Sequence, residues 1–160
     1  MKLTIQPMTK PNVPEMTSWQ YEPPYDVYNL DHPPDEEDYA YYLDPAFAYH
    51  EILTETGEMV GFCSFGEDGR VGGGDYSQEA LDIGMGIRPD WTGQGYGSMF
   101  GEAVVAFAKE HYKPSMLRVT IMASNQRAQR VWQKMGFEEI GRFDSAHNGM
   151  PFIMYTLKVK

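Results

Sequence analysis

From Leu81 to Ile87 the chain alternates apolar Leu81, Ile83, Met85 and Ile87 with Asp82, Gly84 and Gly86. That period of two predicts a strand with one packed and one bare face. From Tyr96 the period changes, and apolar residues fall at positions 96, 99, 100, 103, 104, 107 and 108, with His111 continuing the spacing. This spacing predicts an amphipathic helix of about four turns. Between the two lies a turn rich in glycine, from Gly93 to Ser98.

Shorter patterns flank this unit. Leu3 to Pro7 reads as an edge strand, and Pro11 and Pro14 break the chain before a short helix ending near Trp19. Asp35, Glu36, Glu37 and Asp38 open a helix to about Leu43, with acids in the first turn where the helix dipole favours them. Phe47 to Thr54 and Met59 to Phe65 read as strands joined near Thr56 and Gly57. Gly66 to Ser77, containing Gly72, Gly73 and Gly74, reads as a flexible connection. Met116 to Met122 is a compact apolar strand, and Ser124 or Asn125 caps a helix that buries Ala128, Val131, Trp132 and Met135 before Gly136. Glu138 to Asp144 and Met150 to Lys158 close the chain as a strand pair. The order β, α, α, β, β, β, α, β, α, β, β predicts an α/β (α+β) fold. Its sheet is mixed, mostly antiparallel and twisted, with about six or seven strands and about four flanking helices.

The 160 residues suit one domain over 1–160. A net charge of −10 disfavours nucleic acid and suits a cationic substrate, or confers solubility alone. No apolar run approaches the roughly 18 residues of a membrane span, and no leader pattern opens the chain, so a cytoplasmic location and no membrane partner are expected. The single cysteine, Cys63, excludes an internal disulfide and reads as a core residue. His32, His50, His111 and His147 show no ligand spacing, so no metal site is expected.

Glycines before a helix allow positive φ and close approach of a ligand, while the unpaired N–H groups of the helix end attract an anion. The turn is therefore a candidate phosphate cradle. It lacks the Gly-Lys-Ser/Thr ending of a phosphate loop, and Ser98 fails the last glycine of the dinucleotide fingerprint.

The turn does resemble motif A of the GNAT superfamily of acyl-CoA-dependent N-acyltransferases, Arg/Gln-x-x-Gly-x-Gly/Ala, with Thr92, Gly95 and Gly97 in those positions. The run Asn125 to Phe137 is similar to the family's second signature, an Asn opening a helix that leads to Gly-Phe. The resemblance implies a GNAT-like fold and transfer of an acetyl group from acetyl-CoA to a primary amine of a small molecule or peptide. It implies that Gly93, Gln94, Gly95, Tyr96, Gly97 and Ser98 meet the pyrophosphate through backbone N–H groups, and that Met85 and Ile87 pair with the pantetheine. The Met85 amide becomes the candidate oxyanion donor. Asn125 caps its helix and reaches the pantetheine, and Arg130, with Arg127, is a candidate for the cofactor's phosphates. Thr92 stands where Arg or Gln is usual, and its hydroxyl is left to bond a phosphate oxygen. A homodimer is compatible with the family.

An attacking amine must be neutral. For a lysine-like amine of pKa about 10.4 deprotonation at pH 7 costs roughly 4.6 kcal/mol, against about 1 for an α-amine near 7.8. Asp82, on the strand face opposite Leu81 and Ile83, stands about where some members of the resembled family place a catalytic carboxylate, so the resemblance makes it the first candidate for the base, acting directly or through water, and Glu79 the second. Trp132 occupies the position of the Tyr that protonates the leaving thiolate in many members, leaving Tyr155 and Tyr96 as unranked alternatives. The proline-braced aromatic segment offers Trp19, Tyr21, Tyr25 and Tyr28 as walls for the acceptor, with Tyr39 and Tyr42 assigned to the core. Trp132 and Thr92 also support an alternative, a catalytically weak acyl-CoA binding or sensing module. A third reading is an interaction protein that keeps the fold without a cofactor.

Overall fold

Seven strands form one sheet in the computed structural model, which describes residues 2–160. They are β1 (Thr4–Pro7), β2 (Tyr49–Leu53), β3 (Met59–Phe65), β4 (Leu81–Ile87), β5 (Met116–Met122), β6 (Glu138–Asp144) and β7 (Pro151–Lys158). The helices are α1 (Asn12–Thr17), α2 (Glu36–Leu43), α3 (Gly97–Tyr112) and α4 (Gln126–Lys134). The sheet runs β1-β2-β3-β4-β5-β7-β6, and β4–β5 is its one parallel pair. The predicted element order is the observed one.

Local chemistry accounts for most boundaries. Asp35 accepts from the Asp38 N–H at 2.9 Å while Asp38 accepts from the Asp35 N–H at 3.1 Å, a reciprocal cap that starts α2. Asn125 accepts from the Ala128 N–H at 3.1 Å and starts α4. Pro14 lies inside the first turn of α1 rather than before it, where a missing N–H breaks no helical bond. The strand expected from Phe47 begins at Tyr49, because Pro45–Phe47 forms a 3-10 turn and Ala48 takes φ +48°.

Two cores hold the layers together. On one face α3 packs Phe100, Val104, Val105 and Ala108 against Ile52, Cys63, Ile83 and Val119. On the other, Met8, Val13, Met16 and Trp19 gather with Met59, and Tyr39 and Tyr42 pack against them. Cys63 is a core residue, as its sequence context implied.

The face of β4 expected to be bare is covered at its start. Asp82 is 1 % exposed, and both of its oxygens are held by Arg118, through Nε at 2.7 Å and Nη2 at 2.8 Å. Arg118 is itself fully buried, donates from Nη1 to the Gln78 carbonyl at 2.8 Å, and stacks 4.7 Å over the Tyr76 ring. The connection from Gly66 to Ser77 is packed rather than loose. A 3-10 turn, Glu67–Gly69, presses on β4 so closely that a Cβ on Gly69 would stand 3.3 Å from the Asp82 Cβ.

Removing one member of a buried, hydrogen-bonded ion pair leaves an uncompensated charge and costs about 3–5 kcal/mol. Arg118→Met is therefore expected to lower Tm by about 10 °C, and adding Asp82→Asn to it recovers part of the loss in a thermal melt. A second expectation concerns His50, whose Nδ1 donates to the Ala48 carbonyl at 2.7 Å and whose ring packs on Phe65 and Phe107. Burial holds its pKa below the ordinary 6.5. As pH falls through 6.5 the unfolded chain takes up a proton that the folded chain refuses, so stability is lost from there down to the folded pKa. The stability gap between wild type and His50→Gln should narrow between pH 7.5 and pH 5, measured by denaturant titration.

Candidate active site

The parallel pairing of β4 with β5 covers only Leu81 with Leu117 and Asp82 with Arg118. Beyond that pair the strands part. Along β3 the Gly66 N–H donates to the Asp82 carbonyl and the Arg88 N–H to the Val60 carbonyl, each at 2.8 Å. Hydrogen-bonded pairs alternate along an antiparallel ladder, so Asp82, Gly84, Gly86 and Arg88 turn their backbone groups to β3. Those of Ile83, Met85 and Ile87 are turned the other way; Ile83 still meets β5 at the Asp82–Arg118 pairing, and Met85 and Ile87 lie past it, at the gap that β5 leaves. The gap is part of a cleft of about 720 Å³.

At one end of the cleft stands the N-terminus of α3. No side chain caps it, and Gly93 and Gly95 in the preceding turn have φ of +71° and +85°. Space is open where a Cβ of Gly95 would be. Gly97 has a different reason to lack a side chain, because a Cβ there would lie 2.6 Å from Cγ2 of Val131 on α4. Thr92 does not offer its hydroxyl to a phosphate as expected; it donates to the Pro89 carbonyl at 2.7 Å. The Gln94 amide donates back to the Asp90 carbonyl and the Tyr96 ring packs on Trp91, so neither side chain lines the cleft. Arg127, Arg130 and Lys134, all on α4, do line it. Unpaired helix N–H groups beside these cations make a donor set suited to a pyrophosphate.

The aromatic segment crosses the cleft mouth. Tyr21 donates its hydroxyl to the Ile87 carbonyl at 2.7 Å, Asn125 Nδ2 donates to the Tyr28 oxygen at 3.1 Å, and Arg127 stacks 3.9 Å over the Tyr25 ring. With Trp19, all four predicted walls line the cleft. Burial raises the pKa of Tyr28 and pushes that of Tyr21 up to about 12.

A sheet that splits between its parallel strands beside a glycine turn is shared with known proteins. A profile described as "Acetyltransferase (GNAT) domain" matches residues 2–138. The chain belongs to the GNAT acetyltransferase family. Solved structures agree in fold. A spermidine N-acetyltransferase chimera of Vibrio cholerae SpeG and hSSAT superposes with a TM-score of 0.74 at 14% identity, covering 99% of this chain and 96% of that one. A GNAT-family acetyltransferase from Bacillus anthracis gives 0.74 at 16%, with 99% and 95% covered. The aminoglycoside acetyltransferase AAC(6')-Ib, in complex with coenzyme A and kanamycin, gives 0.75 at 18%, with 98% and 95% covered. No protein in a search of curated sequences matches.

Within this GNAT domain two site expectations need correction. Asp82, expected as the base, is buried against Arg118 and also accepts from Arg70 Nε at 2.9 Å, and it does not line the cleft. Glu79 is exposed on the connection before β4, outside the cleft. Tyr155 and Tyr96, the alternative acids, do not line it either; the Tyr155 hydroxyl donates to Gln129 Oε1 at 3.2 Å. Trp132 is buried at the cleft wall.

The carboxylate that does line the cleft is Asp68, in the turn after β3. It accepts a hydrogen bond from the Tyr49 hydroxyl, and burial raises its pKa above the ordinary carboxylate value. Nothing in the sequence around Asp68 marks it, since it belongs to a segment with the composition of a plain loop. Among the described residues one grouping of metal-ligand types occurs, His32, Asp35 and Asp38, whose ligand atoms lie within 4.8 Å. These side chains form the cap of α2 and its hydrogen bonds to His32, away from the cleft. No described helix is long and apolar enough to cross a membrane.

The contact between Gly97 and Val131 is testable apart from activity. Gly97→Ala should cost about 1–3 kcal/mol by overpacking α3 on α4, and Val131→Ala in the same chain should restore most of it in a denaturant melt.

Proposed function

We propose that the protein transfers an acetyl group from acetyl-CoA to a primary amine of a small molecule, at the gap between β4 and β5. One observation carries the reading: the backbone groups of Met85 and Ile87 face a gap that begins where the sheet splits. The same cleft is lined by the turn that opens α3.

Bound acetyl-CoA supplies an acetyl thioester. Backbone groups of Met85 and Ile87 pair with its pantetheine arm, and N–H groups from Gly93 to Ser98, with Arg127 and Arg130, hold its pyrophosphate. Tyr21 and Tyr28 occupy the Ile87 carbonyl and Asn125, so the aromatic segment shifts or shares these partners as the arm enters. The Met85 amide is the donor for the carbonyl oxygen as charge builds on it. Asp68 takes the proton that the acceptor's ammonium gives up, a role its raised pKa favours. The new C–N bond replaces the C–S bond, and the thiolate, with a pKa near that of a cysteine at about 8.5, departs without a strong acid. Tyr28, whose oxygen accepts from Asn125 and which lines the cleft, is a candidate to protonate it.

Calorimetric titration with acetyl-CoA, followed by thiol release over a panel of amines, tests the reading. Micromolar binding should weaken about tenfold in Arg127→Ala and vanish in Gly95→Trp. Asp68→Asn should lower kcat by about 100-fold with acetyl-CoA affinity retained. Binding without thiol release from any amine would make the chain an acyl-CoA sensor, and absence of binding would sink the proposal.

A further inference from the structure

Resting on the acetyl-transfer reading, we propose that the acceptor is a zwitterion: a primary amine that also carries a carboxylate, with the amine at Asp68 and the carboxylate at Arg70. Polyamines are excluded by the same arrangement.

The charges of the cleft oppose those of the chain. The protein carries −10 overall, yet its cleft is lined by Arg70, Arg127, Arg130 and Lys134 against the single carboxylate of Asp68. With the α4 cations taken up by the pyrophosphate, the acceptor meets Asp68 and Arg70, and one with several ammonium groups finds a single carboxylate there. An acceptor with one ammonium and one carboxylate finds a partner for each.

Asp68 and Arg70 flank Gly69, and the close fit of Gly69 on β4 sets both at the cleft. They do not pair with each other. Tyr49 holds Asp68, and Asp82 holds Arg70 through Nε at 2.9 Å. Anchored by that nitrogen, the guanidinium is fixed in orientation, and its Nη1 and Nη2 have no partner among the described residues. Two parallel N–H donors on a planar fork are matched to a carboxylate.

A second observation concerns the wall of the same cleft. Trp19 is 7 % exposed and lines the cleft, and its indole nitrogen is a buried donor with no partner. A buried indole N–H ordinarily has one. Trp19 stacks on Phe62 at 6.3 Å, and Phe62 lies 6.0 Å from Tyr49, whose hydroxyl reaches Asp68. The rings thus form a continuous wall from the lone N–H to the carboxylate. An apolar or aromatic portion of the acceptor lies along that wall.

The test compares phenylalanine, its descarboxy counterpart phenethylamine, and spermidine as acceptors in thiol release with acetyl-CoA. The kcat/KM of phenylalanine should exceed that of phenethylamine by at least about tenfold, the worth of one charge-assisted bidentate contact, and spermidine should be the poorest. In Arg70→Gln the ratio of phenylalanine to phenethylamine should fall to about one. Arg70 is exposed and Asp82 keeps Arg118, so this variant should fold, and a melt checks that it does. The wild-type comparison decides the matter without it. Turnover of phenethylamine or spermidine equal to or better than that of phenylalanine overturns the zwitterion and leaves acetyl transfer standing, as does a ratio unmoved by Arg70→Gln. Bound acetyl-CoA with no thiol release from any of the three overturns the zwitterion, and none from the whole panel of amines overturns acetyl transfer as well.

Discussion

The site depends on where β4 and β5 stop pairing. Two parallel strands stay together as long as each can bond the other's backbone, and here they do so for two residue pairs. The second pair is Asp82 with Arg118, a bidentate ion pair with both side chains 1 % exposed. Its strength comes from low dielectric surroundings and complete hydrogen bonding, with Gln78, Tyr76 and Arg70 filling the remaining positions. It clamps the strands at the point from which they diverge. Past it, Gly84 and Gly86 let β3 crowd onto β4 on one face, with Phe62 over Gly86 and Ser64 over Gly84. The other edge of β4 is left without a neighbouring strand, and there the Ile87 carbonyl takes the Tyr21 hydroxyl as its partner, as a buried backbone group requires one. A ligand arm that runs like a strand can supply such a partner.

Around this opening the protein sorts its charges. Acidic residues dominate the whole chain, but basic ones on α4 and Arg70 face the cleft. The excess of acid is therefore a property of the outer surface and says little about the ligand. Asp68 is the exception within the cleft. Half-buried and hydrogen-bonded by Tyr49, it meets any cation that enters between the aromatic walls.

How much of this was legible depends on the range of the interactions involved. The strand from Leu81, the glycine turn and α3 were readable because period, positive φ and helix termination are properties of neighbouring residues. Asn125 was readable as a cap for the same reason. Asp82 misled because alternation says which residues share a face, not what covers that face. Its partner Arg118 lies 36 residues away on another strand. The connection holding Asp68 and Arg70 looked loose because its glycines are many. In the folded chain those glycines permit close packing, with Gly74 too near Met154, Tyr76 and Phe143 to carry a Cβ.

By itself, then, the sequence determined the order of elements, the helix caps, the glycine-rich turn before α3 and the family to which the chain belongs, since each rests on contacts within a few residues. Tertiary structure alone decided which carboxylate faces the cleft and which is locked beneath it. That choice turns on register and burial. A carboxylate is available for chemistry when no guanidinium has already taken its oxygens, and only the folded sheet brings Arg118 to Asp82 while setting Asp68 at the cleft wall.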